Sequence, residues 1–370
     1  MGAGGFIQGD TRYTGQCGRW SLADTVSHPN LGIGVEEYLV ALCNNNMSFY
    51  TAPDFRRRTP PGDPIYSGTY PPYAKAVFFN DGRMAVPKSG VYLGDAPGVR
   101  FWKQGTANWD NNPALAPIQQ IGIGFNVNSV AVSPDGSLMA VALSRTPYVR
   151  VYDMSSYIGS DMDPKCYSSP TALSWSADNR YLLATFGGVP YVKILDISTR
   201  LWFSAPTSGS AAPYDGAFSP SGDAIAIGHG TSLGIYDWNT LKNARTTTYP
   251  TLSNLGSASL YGLGWHPDGT YVAVGLSYGS PNPFRIVSGS WTGTGVVMVP
   301  PQPVSITTAC YGATFSPSGK WLAFSTVGQG IHIYKWGGGV ATYWGTVKDL
   351  PDSATVYKLS WWNSKLRKAS

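Results

Sequence analysis

The chain has 370 residues, a formal net charge of +5, and only 13% charged residues, about half the usual share. With Gly 44, Pro 28, Tyr 23 and Trp 13, it excludes a disordered chain, which would be rich in charge and poor in aromatics. It also excludes a nucleic-acid binder built on a clustered basic footprint, and no apolar run reaches the length of a membrane helix.

In chain order, Met1 to Phe6 lacks the apolar stretch of a secretory signal. Gly2 does not read as a myristoylation site, because Phe6 stands where Ser or Thr is needed. Residues 1–36 show no repeat and are expected to be a docking arm; residues 37–370 are expected to form the folded body. Two apolar strands follow, Glu37 to Leu42 and Met47 to Tyr50. The run Arg56-Arg57-Arg58 precedes a Pro-rich stretch, Thr59 to Tyr73, and reads as a solvated loop.

A turn then recurs. Phe78-Phe79-Asn80-Asp81-Gly82 is its weakest copy, and Val132-Ser133-Pro134-Asp135-Gly136 its clearest. Further copies are Trp175 to Asn179, Phe218 to Gly222, Trp265 to Gly269 and Phe315 to Gly319. Their spacing of 43 to 54 residues brackets the length of a four-stranded unit. Pro presets φ, Asp or Ser bonds the backbone two residues on, and Gly or Asn accepts positive φ. The strand before each turn ends in a bulky residue (Val132, Trp175, Phe218, Trp265, Phe315) preceded by a small one (Ala131, Ser174, Ala217, Gly264, Thr314). Strand faces alternate, so one face is bulky and the other small, as sheets packed in a ring require.

Second strands follow at Leu138 to Leu143, Tyr181 to Phe186, Ala224 to Gly228, Tyr271 to Leu276 and Trp321 to Ser325. Third strands follow at Tyr148 to Asp153, Tyr191 to Asp196, Leu233 to Asp237 and Ile331 to Tyr334, and looser fourth strands include Leu201 to Ser204 and Tyr343 to Lys348. Tyr357 to Ser364 opens a seventh copy that the chain does not complete; Glu37 to Tyr50 supplies the missing strands. The reading is an all-β, seven-bladed β-propeller closed by N- and C-terminal strands sharing one blade, which removes the open sheet edge.

The repeats resemble WD40-type propellers. Asp153, Asp196 and Asp237 end third strands as in that family, and Asp237-Trp238 echoes its punctuation; the family's Gly-His pair is absent. The run Leu138 to Asp153 and its echo, Leu182 to Asp196, are similar to repeats in propeller proteins of tailed bacteriophages. This resemblance implies a non-enzymatic interaction module, a structural component of a virion at tail or capsid, made in the host cytoplasm and present in multiple copies. Its partners would be other virion proteins, with a host receptor or glycan as a further contact. The competing readings are a cytosolic WD40-type scaffold and a propeller hydrolase or carbohydrate-binding protein.

The residues offer little for catalysis. His28, His229, His266 and His332 lack a recurring nucleophile or carboxylate partner. Cys17, Cys43, Cys166 and Cys310 contain no CxxC, and no zinc or calcium spacing occurs. Ile121-Gly122-Ile123-Gly124 is no phosphate cradle. No catalytic, metal or cofactor-binding residue is expected. The longest insertions, 1–36, 54–72, 104–127 and 286–309, are where partners are expected to bind. Tyr66, Tyr70, Tyr73 and Trp109, with Arg56, Arg57 and Arg58, form the candidate interaction surface.

Overall fold

The recurring turn organises the whole ring. In a computed structural model, which describes residues 37–43, 47–57, 75–81, 83–88, 97–103, 119–165, 168–189, 191–205, 212–244, 252–255, 258–277, 282–288, 297–301, 306–348, 350 and 356–363, the turns share a common set of bonds. The hydroxyls of Ser133, Ser176, Ser219 and Ser316 accept the backbone N–H five residues on, at 2.9, 2.9, 3.0 and 3.2 Å. Asp135, Asp178 and Asp268 accept the N–H two residues on, at 3.0, 3.1 and 2.8 Å. Gly136, Asn179, Gly222, Gly269 and Gly319 have φ of 76°, 60°, 76°, 77° and 70°, a region closed to most side chains.

Each turn folds one strand back on the next, and the result is seven antiparallel four-stranded sheets. Blade 1 runs Val77–Phe78, Arg83–Lys88, Gly98–Lys103, Gln119–Gly122. Blade 2 runs Val127–Val132, Leu138–Leu143, Val149–Asp153, Gly159–Asp161. Blade 3 runs Pro170–Trp175, Tyr181–Phe186, Val192–Asp196, Leu201–Ser204. Blade 4 runs Gly216–Phe218, Ala224–His229, Ser232–Asp237, Leu252–Asn254. Blade 5 runs Leu260–Trp265, Tyr271–Leu276, Phe284–Ser288, Val297–Met298. Blade 6 runs Cys310–Phe315, Trp321–Thr326, Gly330–Gly337, Val340–Val347. Blade 7 joins Val356–Asn363 to Glu37–Cys43, Met47–Thr51 and Arg56–Arg57. Leu39 opposes Trp361 and Ala41 opposes Leu359 across this closure.

Seven apolar clusters fill the seven inter-blade spaces; one joins blades 2 and 3 through Ala140, Ala142, Trp175, Leu182 and Phe186, another joins blades 7 and 1 through Val40, Phe49, Met84 and Val86. Both faces of each second strand are therefore buried, which is why these strands read as continuous apolar runs. The bulky and small columns of the first strands meet as expected. The indoles of Trp175 and Trp265 donate to the carbonyls of Ala131 and Ala217 on the preceding blade, each at 3.1 Å. A Cβ on Gly264 would lie 2.6 Å from the Ala313 carbonyl oxygen of the next blade. The turns are linked as well. Asn80 donates to the Pro134 carbonyl, the Asp135 N–H to Asn179, and the Ser318 N–H to Glu37, at 2.8, 2.9 and 2.6 Å.

Two expectations need correction. Arg56 and Arg57 are not loop: they form the fourth strand of blade 7, paired with Tyr50 and Thr51. The expected insertions 104–127 and 286–309 contain strands Gln119–Gly122, most of Phe284–Ser288, and Val297–Met298. These are too short or too close to a blade edge to show alternation. Blade 4 interposes a helix, Trp238–Ala244, between its third and fourth strands. Asp237 starts it by accepting the Thr240 N–H at 3.1 Å. By contact the chain divides into Met1–Glu36 and Glu37–Ser370, and all seven blades lie in the second unit. Among the described residues no helix is long and apolar enough to cross a membrane.

Candidate functional site

The first strand of each blade lines the axis of the ring, so its sequence determines what the central channel offers. Counting back from the bulky residue before the turn, the fourth position is Asn128, Thr171, Tyr214, Tyr261 and Tyr311 in blades 2 to 6. In blades 2, 3, 5 and 6 the pairing register with the second strand slips at this position. Such bulges re-aim one side chain and recur beside functional sites. Two of the three tyrosines, Tyr261 and Tyr311, stand at such bulges, and Tyr214 lies just before the first strand of blade 4, Gly216–Phe218. The rings of Tyr214 and Tyr261 are 4.7 Å apart between centroids and inclined by 51°; those of Tyr261 and Tyr311 are 5.0 Å apart and inclined by 66°.

The next position along holds the charges. It is Lys75 in blade 1, Asp215 in blade 4 and Lys358 in blade 7, with Ser129, Ala172, Gly262 and Gly312 in the others. Lys358 Nζ donates to Asp215 Oδ2 at 2.9 Å and to the Tyr261 carbonyl at 2.6 Å. Lys75 Nζ donates to the same carboxylate oxygen at 3.1 Å and to the Leu263 carbonyl at 3.5 Å. The backbone N–H groups of Gly216 and Leu263 complete the carboxylate at 3.0 and 3.2 Å. The long lysine arms thus cross the channel and tie blades 1 and 7 to blades 4 and 5.

Burial alone would push the Asp215 carboxyl up, but the ammonium groups of Lys358 and then Lys75 hold it below its ordinary value. Burial pushes the Lys358 ammonium down; Asp215 opposes that and Lys75 adds to it. The site therefore holds a stable ionised carboxylate with every acceptor direction engaged, which suits it poorly to proton transfer.

The sequence-predicted candidates fall mostly outside what the structure describes. Arg56 and Arg57 have their backbone in blade 7's outermost strand; Arg58, Tyr66, Tyr70, Tyr73 and Trp109 lie outside the described residues, as does His28. The other histidines sit apart in separate blades. His266 takes the serine slot of its turn, with Nδ1 2.6 Å from Asp268. His332 bridges the hydroxyls of Thr326 and Thr346, both at 3.0 Å. His229 meets the Tyr236 hydroxyl at 2.7 Å. Among the described residues no three His, Cys, Asp or Glu side chains converge as a metal site. Sequence reading missed the channel cluster, although stacking the repeats and reading down one column would have exposed Lys75, Asp215 and Lys358 as its only charges.

Residues 119–153, from the fourth strand of blade 1 through the third strand of blade 2, match the family described as WD domain, G-beta repeat. No curated protein matches the chain. Among solved structures the chain is similar to the hydrazine synthase of Kuenenia stuttgartiensis, with TM-score 0.57 and 17% identity over 72% of this chain and 78% of that one. It is also similar to a functionally unknown protein from Desulfotomaculum acetoxidans DSM 771, with TM-score 0.62 and 12% identity over 88% of this chain and 98% of that one. At such identities these two likenesses concern the fold. The ring and the matched repeat together identify a seven-bladed β-propeller that carries a repeat of the WD40 type.

Proposed function

We propose that the chain is a non-enzymatic protein-interaction module that presents the tyrosine-lined mouth of its channel to a partner. The observation that carries this reading is the arc of Tyr214, Tyr261 and Tyr311 on a closed ring with a WD40-type repeat. Tyrosine supplies large contact area at small entropic cost and is enriched at protein interfaces. The hydrazine synthase likeness does not favour an enzyme here, because it rests on fold at 17% identity. Affinity capture on the immobilised chain tests the reading. A stoichiometric protein partner should be recovered, and Tyr261→Ala should reduce its recovery at least tenfold; recovery unaffected by Tyr261→Ala contradicts this interface.

The finer reading is a structural component of a bacteriophage virion, assembled in multiple copies with other virion proteins. It rests on the similarity of Leu138 to Asp153 and Leu182 to Asp196 to repeats of phage propellers, together with the low charge. Mass spectrometry of purified particles should find the chain at a fixed ratio to the capsid or tail proteins. Its absence from the particles contradicts this reading and leaves the interaction module standing.

A further inference from the structure

The channel cluster is unbalanced. Two ammonium groups share one carboxylate, so it carries one positive charge in excess. Asp215 and Lys358 are 2% and 3% exposed in their side chains, and charge in such surroundings interacts strongly with whatever reaches it. Asp215 cannot accept more, since both lysines and two backbone N–H groups already engage it. Lys75 can still donate. Its side chain is 33% exposed, its ammonium has three N–H groups, and its contact with the Leu263 carbonyl is long at 3.5 Å. A ligand approaching along the channel therefore meets a cation.

The charge lies directly beside the tyrosine arc. Lys358 donates to the backbone carbonyl of Tyr261, and Asp215 follows Tyr214 in the chain. The two ring spacings of 4.7 and 5.0 Å span about 10 Å, the reach of about three extended residues. A carboxylate matches the single excess charge, whereas a phosphate group at about −1.5 to −2 exceeds it.

We propose that the channel mouth binds an acidic peptide segment of a protein partner, one carboxylate resting on the Lys75 ammonium and the flanking residues on Tyr214, Tyr261 and Tyr311. The proposal rests on the interaction-module reading and names the class of partner. Ligand-observed NMR on the full chain would compare the blocked peptide Ala-Ala-Glu-Ala-Ala with its glutamine counterpart. The glutamate peptide should bind at least tenfold more tightly, and the preference should weaken as salt rises. Lys75→Gln should reduce the preference below twofold, and Lys75→Arg, which keeps the charge, should retain it; Tyr311→Ala should weaken both peptides alike. If Lys75→Gln does not fold, the Lys75→Arg and Tyr311→Ala results decide. Equal binding of the two peptides, or a preference untouched by Lys75→Gln, overturns the proposal. So does inorganic phosphate displacing the glutamate peptide at equal concentration, which would mark a general anion site. A protein partner captured equally by the wild type and by Lys75→Gln would refute this assignment while leaving the interaction module intact.

Discussion

Asp215 anchors a network whose members come from sequence positions 140 and 143 residues away. Replacing it with Asn leaves two lysines at the channel axis without their counter-charge, one of them fully buried. Breaking a buried pair in this way costs about 3–5 kcal/mol, and the midpoint of denaturant unfolding should fall accordingly. Two histidines make a second prediction at this scale. Burial pushes His229 and His332 down to about 4 from the ordinary 6.5, and Nδ1 of His229 has no hydrogen-bond partner among the described residues. Above pH 6.5 both are neutral whether the chain is folded or unfolded, so their full contribution to stability is present there. As pH falls from 6.5 toward 4 the unfolded chain takes up protons that the folded chain refuses, and stability is lost. The loss amounts to as much as about 3 kcal/mol for each group. Unfolding free energies measured at pH 7 and pH 4.5 should differ, and the double variant His229→Gln/His332→Gln should flatten that difference. Asp196, held at about 2 chiefly by its hydrogen bond from Arg180, acts only at lower pH, where stability present above 3.8 is lost.

Strands and turns were the most legible elements. The repeated turn states its own chemistry in Ser, Pro, Asp and Gly, and the second strands, buried on both faces, read as apolar runs. The bulky and small columns flanking the turn were legible because each occupies the same place in every repeat. The channel column was not, because Lys75, Asp215 and Lys358 each look like an exception within their own repeat. Bulges hid the tyrosine arc further, since an extra residue breaks the two-residue alternation just where Tyr261 and Tyr311 stand. The helix Trp238–Ala244 interrupts one repeat only, so nothing in the stacked repeats announced it. One glycine of a first strand and one of a fourth strand test the packing of these elements. At Gly264 an added Cβ meets backbone atoms of Ala313 and Thr314 at 2.6 and 2.8 Å, whereas at Gly122 nothing lies within 4 Å. Gly264→Ala should lower stability by about 1–3 kcal/mol, and Gly122→Ala should stay within about 0.5 kcal/mol of the parent. Thermal unfolding of the two variants makes the comparison.

For the ring of seven blades, closure and site are one problem. The strand Val356–Asn363 pairs with Glu37–Cys43, and the same strand delivers Lys358 to Asp215. Without it, blade 7 would present a bare strand edge at the channel, and such edges recruit other chains. Of the partner-binding surface foreseen from sequence, Tyr66, Tyr70, Tyr73 and Trp109 lie outside the described residues, so the channel is the surface argued from structure. Hydrogen exchange measured by mass spectrometry on the full chain, and on a chain ending at residue 355, tests closure most directly. In the full chain, Glu37–Cys43 should be protected as strongly as the second strands of blades 2 to 6. Removal of residues 356–370 should abolish that protection while blades 2 to 5 keep theirs. Unchanged protection of Glu37–Cys43 in the shortened chain would contradict a ring closed by its two ends.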